Sequence, residues 1–271
     1  MSRPHHRLTL AFALALGLSA PALADQSKVE APPGARPTGY LDQARLPDAA
    51  KFLPPPPGLG ADAAAGDLYA FRHTRALEGS DRWKLAQHDD AYEVGAVMGD
   101  FACALGAELS PKQAPRLAAL LARMQQDSSA AVGPTKRIYR RERPIAGNDA
   151  PFCMDRAEYK GSFSYPSGHA TMSSAFSLVL AELAPDRTNQ IMARARAYSE
   201  SRVVCGAHWP TDVEAGRTAG AALVAALHGD AAFRADLDAA RTEVAALRGR
   251  PASPDANMCK IEDAAAAERP W

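Results

Sequence analysis

Residues 165–183 read YPSGHATMSSAFSLVLAEL, a short polar turn followed by a long apolar segment. A proline and a serine ahead of an apolar segment are typical of a helix start, so the segment predicts a helix. Ser167 and Gly168 would then lie at its N-terminus, where free N–H groups and the helix dipole attract an anion. Gly168 would also let an anion approach the backbone closely. Taken alone, the turn is better explained by an ordinary capping serine, so its meaning depends on the rest of the chain.

Helical patterns dominate on both sides of this segment. Apolar residues recur at helical intervals over 84–109, and Ser110-Pro111 is typical of the start of a second helix that runs through Met124. Gly133-Pro134 is expected to end that helix. Further helices are predicted at residues 135–141, 186–204 and 210–228, and from a capping Asp230 to Leu247. Strand alternation and internal repeats are absent from the sequence. The predicted fold is therefore all-α, a single helical bundle domain.

Residues 136–144 read KRIYRRERP and carry a run of basic side chains. Lys136 and Arg143 are seven residues apart, so a continuous helix would place them on one face, and Pro144 would end that helix. A solvated basic face is the usual explanation of such a run. We accept that explanation for the other three basic residues, Arg137, Arg140 and Arg141.

Residues 201–213 read SRVVCGAHWPTDV and combine an arginine, a histidine and a carboxylate. Asp212 lies four residues after His208, just after a predicted helix start at Pro210. It is either an ordinary acid in the first helical turn, favoured by the dipole, or the partner that fixes the tautomer of His208. The two roles are compatible. Arg202 has the planar fork that clamps phosphate oxygens.

These three blocks, K-x6-RP, PSGH and SR-x5-H-x3-D, resemble the type-2 phosphatidic acid phosphatase superfamily, which also includes the vanadium haloperoxidases. Within it, YPSGH and SRVVCGAHWPTDV are similar to the class A bacterial non-specific acid phosphatases. The blocks fix eleven positions in order between Lys136 and Asp212, which is far more specific than one short motif. Ala170 departs from the family pattern, in which threonine is common after PSGH. This departure bears on the fine positioning of the site residues and not on their chemistry.

The resemblance implies an acid phosphatase that hydrolyses phosphate monoesters through a phosphohistidine, with no metal or other cofactor. By resemblance, His208 is the nucleophile, His169 is the general acid and base, and Asp212 orients His208. The phosphate would be held by Lys136, Arg143, Ser167, Gly168 and Arg202. Expected substrates are aryl phosphates, nucleotides and sugar phosphates, and a homo-oligomer is one of the assembly states left open. Because one histidine must be neutral and the other cationic, we expect an acidic to near-neutral pH optimum.

Two alternatives use the same residues differently. A vanadate-dependent haloperoxidase would hold vanadate covalently on His208, and halide oxidation without phosphatase activity would identify it. A non-catalytic periplasmic phosphate-binding protein would need cations and N–H groups, but not the acid and nucleophile pair of His169 and His208. Trapping a phosphohistidine would separate that protein from an enzyme.

The N-terminus has the features of a secretory signal peptide over residues 1–24. A basic start precedes an apolar stretch, and Ala22-Leu23-Ala24 is an A-x-A cleavage site. The apolar stretch is shorter than the ~20 residues of a membrane span, so we expect a periplasmic protein without a span after cleavage. Cleavage removes two arginines and no acid, which changes the formal charge from zero to −2. Such a chain has no general attraction for a nucleic-acid polymer.

The remaining chain divides into three parts by composition. Residues 25–66 are rich in Pro, Gly and Ala and are predicted to be an extended arm without regular structure. Residues 67–249 are predicted to form the helical phosphatase domain. Residues 250–271 are predicted to be a loose tail, apart from Cys259.

The four cysteines of an exported chain suggest two disulfides, for which three connectivities exist. Sequence alone selects none of them. By the resemblance, Arg143 and Arg202 face one anion, which favours pairing Cys153 with Cys205 and leaves Cys103 for Cys259. A metal site built from these cysteines is not expected because the chain has no CxxC spacing.

Overall fold

A computed structural model of the chain describes residue 1, residues 37–249 and residues 254–271. Within those residues the regular structure is entirely helical and contains no strand, which confirms the prediction of an all-α fold. The predicted signal peptide lies outside the described residues, except for Met1. In chain order the helices are α1 (Ala49–Phe52), α2 (Asp62–Thr74), α3 (Asp81–His88), α4 (Val94–Asp100), α5 (Ala102–Leu105), α6 (Pro115–Tyr139), α7 (Arg156–Tyr159), α8 (Gly168–Leu183), α9 (Thr188–Val204), α10 (Pro210–Leu227), α11 (Ala231–Arg248) and α12 (Ala256–Ala267).

Helix α8, predicted from the apolar segment after PSGH, forms the centre of the bundle. Its Met172, Phe176 and Val179 side chains are fully buried, and α6, α9 and α10 pack around it. A helix that is apolar on nearly every side belongs inside a fold rather than at its surface. Because α8 is fixed in this way, its N-terminal turn with Ser167 is fixed as well.

Helix α10 packs against α8 at very short range through two glycines. A Cβ atom at Gly216 would lie 2.5 Å from the carbonyl oxygen of Ser167, and one at Gly220 would lie 2.5 Å from that of Thr171. Only glycine permits such an approach of two backbones. The approach also aligns the two N-termini, since the Ser167 N–H donates to the Asp212 carbonyl oxygen at 2.9 Å. Two of the three sequence blocks are thus joined by helix packing.

The single helix predicted over 84–109 is wrong, because three helices, α3, α4 and α5, occupy this region. The chain leaves the helical path at Asp89, whose carboxylate pairs with Arg194 at 2.6 Å. Gly106, in the left-handed conformation with φ of 78°, ends α5. Tertiary ion pairing has overridden a helical pattern here.

Helix α6 begins and ends later than predicted. It starts at Pro115 rather than at Ser110-Pro111, and it continues through Pro134 to Tyr139, so the expected break is wrong. Pro134 cannot donate a hydrogen bond to the carbonyl of Ala130, but Ala130 is exposed and water can satisfy that oxygen. The separate helix predicted at 135–141 is therefore the last part of α6.

Helices α9, α10 and α11 agree with the sequence patterns within two residues at each end. The predicted cap of α11 is present, because the carboxylate of Asp230 accepts hydrogen bonds from the N–H groups of Ala232 and Phe233. Among the described residues, none of the helices combines the length and the apolar composition needed to cross a membrane.

Both chain ends contain more structure than predicted. In the described part of the arm, α1 and the start of α2 are helical, and the Asp127 carboxylate holds the N–H groups of Tyr40 and Leu41 at 2.8 and 3.2 Å. The tail was expected to be loose but forms α12. The Asp255 carboxylate caps this helix by accepting from the N–H groups of Asn257 and Met258, and the Cys103–Cys259 disulfide ties it to α5.

The second disulfide joins Cys153 to Cys205. This is the pairing that the family resemblance favoured. It links the loop before α7 to the end of α9, three residues after Arg202.

Candidate active site

The N-terminus of α8 offers an open approach to its backbone. Ser167 caps the helix, and its hydroxyl oxygen accepts a hydrogen bond from the Ala170 N–H at 3.3 Å. A Cβ atom added at Gly168 would meet nothing within 4 Å, and Gly168 does not have a positive φ. The fold therefore tolerates a side chain at 168, and what glycine preserves is free space in front of the first N–H groups of the helix.

Lys136 reaches this region from the end of α6. Its ammonium donates to the carbonyl oxygens of Phe163 and Ser164 at 3.0 and 3.2 Å. Burial, followed by the charge of Arg143, lowers the pKa of Lys136 to about 7. A bound phosphate would favour the charged ammonium and raise that pKa again.

Arg143 lies beside Lys136, but the predicted reason, a shared helix, is wrong. Helix α6 ends at Tyr139, and the two cations meet because both donate to the carbonyl of Phe163, Arg143 through Nη2 at 3.2 Å. Arg143 Nη1 also lies 2.8 Å from the carbonyl oxygen of Ala207 and 3.1 Å from Nε2 of His208. Burial lowers the pKa of Arg143 to about 10, so it stays cationic at neutral pH.

His208 and Asp212 face each other at the start of α10. Nδ1 of His208 lies 3.4 Å from Oδ2 of Asp212, and both side chains are buried. The Asp212 carboxylate also accepts from the N–H of Trp209 at 2.9 Å. Asp212 thus caps the helix and contacts the histidine, a geometry compatible with both roles considered for it.

The surroundings of His208 select one tautomer. Arg143 can only donate, so Nε2 of His208 must accept and the ring proton belongs on Nδ1, facing Asp212. Burial, and then the charges of Arg143, Lys136 and Arg202, hold the pKa of His208 well below 6.5. A neutral ring with its lone pair on Nε2 is the form in which imidazole is a nucleophile.

His169 lies in the first turn of α8, across the site. Its Nε2 is 3.1 Å from the carbonyl oxygen of Asp90, which can only accept, so Nε2 carries a proton and Nδ1 is left for another partner. The Tyr92 ring packs against it with centroids 4.7 Å apart. Burial, followed by the charge of Arg202, holds the pKa of His169 well below 6.5.

Arg202 is fully buried near the end of α9. Its Nη2 donates to Oδ1 of Asp90 and to the Tyr159 hydroxyl, both at 2.8 Å. Its Nε and Nη1 have no hydrogen-bond partner among the described residues. Buried donors without acceptors are rare in folded proteins, and an anion would satisfy both of these.

Arg141 was predicted to be a solvated side chain, and this is wrong. It is largely buried and donates to Asp212 at 2.5 Å, Asp67 at 2.6 Å and Thr211 at 2.7 Å. Neighbouring Arg140 is exposed, as predicted. Sequence patterns could not separate the two, because the decisive partner Asp67 lies 74 residues away.

Asp90 and Tyr159 also escaped the sequence patterns. Asp90 contacts His169 through its backbone and Arg202 through its side chain, while Tyr159 donates to Asp90 at 2.7 Å. Asp90 stands in a break between two helices, and Tyr159 lies in the four-residue helix α7. Neither position carries a periodic or motif signal.

All eight residues predicted for the site converge on one place: Lys136, Arg143, Ser167, Gly168, His169, Arg202, His208 and Asp212. The arrangement combines three basic side chains, a helix N-terminus, a neutral histidine whose Nε2 lone pair faces Arg143, and a second histidine opposite. Such a group can bind a phosphate and transfer it.

Comparison with known proteins places the chain in a family. Residues 117–234 match the PAP2 superfamily. The chain is 42% identical over 216 residues to an acid phosphatase of Zymomonas mobilis, covering 79% of this chain and 82% of that protein. It is 34% identical over 212 residues to a non-specific acid phosphatase of Providencia stuartii, with coverages of 77% and 86%. A non-specific acid phosphatase of Salmonella typhi is 35% identical over 196 residues, with coverages of 71% and 78%.

The chain therefore belongs to the PAP2 superfamily, as its motifs predicted. It is a phosphatase of this family, and its relatives are acid phosphatases.

Proposed function

We propose that the protein is a broad-specificity acid phosphatase that hydrolyses small phosphate monoesters through a phosphohistidine on His208. One observation carries this proposal. Nε2 of His208 is an acceptor, while its Nδ1 faces Asp212 and its ring is buried among cations. A site that only bound phosphate would need the cations and N–H groups but no such nucleophile.

In the first step, the Nε2 lone pair of His208 attacks phosphorus and the bond to the ester oxygen breaks. His169 gives a proton to the departing oxygen from Nδ1, since its Nε2 is held by Asp90. Arg143 must turn from Nε2 of His208 to a phosphate oxygen before attack. Lys136 and Arg202 neutralise the remaining negative charge.

In the second step, His169 takes a proton from water, and the resulting hydroxide attacks phosphorus. The phosphorus–nitrogen bond breaks, phosphate leaves, and His208 returns to its neutral form. His169 must be protonated at the start, although its pKa is low in the free site. A bound phosphate favours the imidazolium, so activity should be highest from acidic to near-neutral pH.

A cavity of about 630 Å³ beside Arg143 supports broad specificity. Ile145, Tyr159 and Phe163 give it apolar surface, and the rest of its lining mixes charged and polar side chains with alanines and glycines. A pocket of this size and mixed lining accepts organic groups of different shape, so aryl phosphates, nucleotides and sugar phosphates are the proposed substrates.

We also propose that the enzyme is exported to the periplasm. The sequence of residues 1–24 supports this, and so do the two disulfides, which persist in oxidising compartments. Measuring the mass of the N-terminal peptide after export would show whether cleavage precedes Asp25.

The proposed mechanism is tested by trapping the phosphoenzyme. Enzyme mixed with an aryl phosphate and quenched in alkali, where phosphohistidine survives, should carry one phosphate on the peptide with His208. His208→Ala should carry none, whereas His73→Ala, an exposed control, should match wild type. A phosphate on another residue would overturn the assignment.

Activity should survive a chelator and be inhibited by vanadate, which mimics the five-coordinate transition state. Loss in chelator, restored by Zn²⁺ or Mg²⁺, would contradict the assignment of phosphate charge to the three basic residues.

A further inference from the structure

Tyr159 contacts both arginines of the phosphate site, and so far only its ring has been given a role, as part of the cavity lining. Its hydroxyl oxygen accepts a hydrogen bond from Arg202 Nη2 at 2.8 Å, and the hydroxyl donates to Oδ1 of Asp90 at 2.7 Å. The guanidinium of Arg143 lies over the face of its ring, 4.8 Å from the centroid. One side chain therefore bridges two cations that belong to different parts of the chain.

We propose that Tyr159 is a positioning residue that fixes the distance and orientation of Arg143 and Arg202 for a single phosphate. This rests on the proposed function only in so far as the two arginines bind the phosphate. Tyr159 acts through them and forms no bond to the reacting atoms.

The hydroxyl fixes Arg202. Asp90 and Tyr159 both hold Nη2, which leaves Nε and Nη1 without partners among the described residues. With the hydroxyl removed, Asp90 and the weakly accepting sulfur of Met154, 3.2 Å from Nη2, would remain as partners of the guanidinium, and the free donors would be held less firmly in one direction. Burial raises the pKa of Tyr159, so the hydroxyl keeps the proton it donates to Asp90 while it accepts from Arg202.

The ring fixes Arg143. In the free site this guanidinium contacts Nε2 of His208, and it must reach a phosphate oxygen without leaving the site. An aromatic face supports a cation without competing for its N–H groups, so Arg143 can exchange one partner for the other while it stays over Tyr159.

The local structure holds Tyr159 firmly enough for this role. Asp155 caps α7 by accepting from the Ala157 N–H at 2.8 Å, and the Phe152 ring packs edge-on against Tyr159 with centroids 5.4 Å apart. The Cys153–Cys205 disulfide then ties this segment to the end of α9, beside Arg202. The arginine and the residue that orients it are thus covalently connected over a short path.

Two variants and one control test the proposal. Tyr159→Phe removes the hydroxyl but keeps the ring, and Tyr159→Leu removes both. Tyr69→Phe, at a tyrosine that is 60% exposed, is the matched control. The readouts are the Kd for inorganic phosphate by calorimetry, the inhibition constant of vanadate, and KM and kcat for one aryl and one alkyl phosphate.

For Tyr159→Phe, we expect the phosphate Kd and KM to rise about tenfold, because a hydrogen bond to a charged group is lost. The factor should be the same for the aryl and the alkyl substrate, since the arginines contact only the phosphate and the variant keeps the ring that lines the cavity. Tyr159→Leu should weaken phosphate binding by roughly another fivefold through loss of the aromatic face. Tyr69→Phe should match wild type in every readout.

Wild-type phosphate affinity in Tyr159→Phe would overturn the proposal. A factor that depends on the leaving group would overturn it too, because it would mean that the hydroxyl contacts the organic group instead of orienting Arg202. If Tyr159→Leu does not fold, Tyr159→Phe, which removes a single oxygen atom, still decides. A wild-type chain that binds phosphate but hydrolyses no ester would refute the proposed function alone. In that case the phosphate Kd measured by calorimetry would still test the role of Tyr159.

Discussion

Arg194 and Arg202 lie eight residues apart on α9, and both are buried, yet their surroundings are opposite. Arg194 is within 2.6 Å of Asp89 and 3.7 Å of Asp100, and its Nε is 3.3 Å from Glu262. Arg202 contacts only Asp90 among the acids and stands near other cations. Of two adjacent acids, Asp89 therefore pairs with Arg194 and Asp90 pairs with Arg202.

The difference shows in which atoms are left without partners. Around Arg202 the unpartnered atoms are donors, its own Nε and Nη1. Around Arg194 they are acceptors, Oδ2 of Asp100 and Oε2 of Glu262, within the described residues. Unpartnered donors are satisfied by an anion, whereas unpartnered carboxylate oxygens are satisfied by protons. Burial raises the pKa of Asp100 and raises that of Glu262 to about 7. One end of α9 therefore suits a phosphate, and the other stabilises the fold.

The largest expected effect is at His208, the proposed nucleophile. His208→Ala should lower kcat on every substrate by on the order of 10⁵-fold or more, because no other group can form the intermediate. Stopped assays with aryl and alkyl phosphates at high enzyme concentration would measure the residual rate. A variant that keeps a tenth of wild-type activity would show that the phosphate is transferred elsewhere.

The next effect separates the second histidine from the first. His169→Ala should lower kcat by about 10²–10⁴-fold for an alkyl phosphate, whose oxygen needs a proton to leave, and by less for a nitrophenyl ester. Hydrolysis of the intermediate should also slow, so alkali quenching should trap more phosphoenzyme than in wild type. Equal losses on both esters, without a trapped intermediate, would mean that another group is the acid.

A matched pair tests the two ends of α9 directly. Arg194→Met should lower the free energy of unfolding by about 3–5 kcal/mol, since it strips a cation from buried carboxylates. Arg202→Met should leave stability closer to wild type, because Asp90 is a quarter exposed (24%) and keeps Tyr159, but should reduce kcat about 10²–10³-fold. Urea unfolding and steady-state assays on both variants would measure this. Equal stability losses would refute the division into a stabilising and a binding end.

The same division explains what the sequence could predict. His208 with Asp212, and the helix start at Ser167, depend on neighbours within a few residues, so their placement follows from local spacing. The break at Asp89 depends on Arg194, 105 residues away, and no local pattern signals it.

Arg140 and Arg141 make the same point at adjacent positions. They share one basic run, yet only Arg141 meets Asp67 and Asp212 and becomes buried. The family resemblance of three short motifs supplied the residues proposed to carry the chemistry. The groups that hold them, such as Asp90 and Tyr159, are fixed only by packing.

The smallest expected effect concerns the protons at the Arg194 end. In the folded chain Glu262 keeps its proton up to about pH 7, whereas in the unfolded chain it loses it near its ordinary value of 4.5. Between these values the folded state binds more protons, so this group makes the free energy of unfolding fall as pH rises and then level off above pH 7. Glu262→Gln keeps the shape and the oxygen that faces Arg194 but removes the titration.

The Glu262→Gln variant should therefore match wild type near pH 4.5 and exceed it by on the order of 2–3 kcal/mol at pH 8. Thermal and urea unfolding at several pH values would measure the difference. Asp263→Gln, on the next residue of α12 and exposed, is the control and should show no such trend. Phosphatase kinetics should not change in either variant, because Glu262 lies at the Arg194 end. A Glu262→Gln variant less stable than wild type at pH 8 would mean that Arg194 requires the charge of this carboxylate, and that the acids around it act as ionised partners.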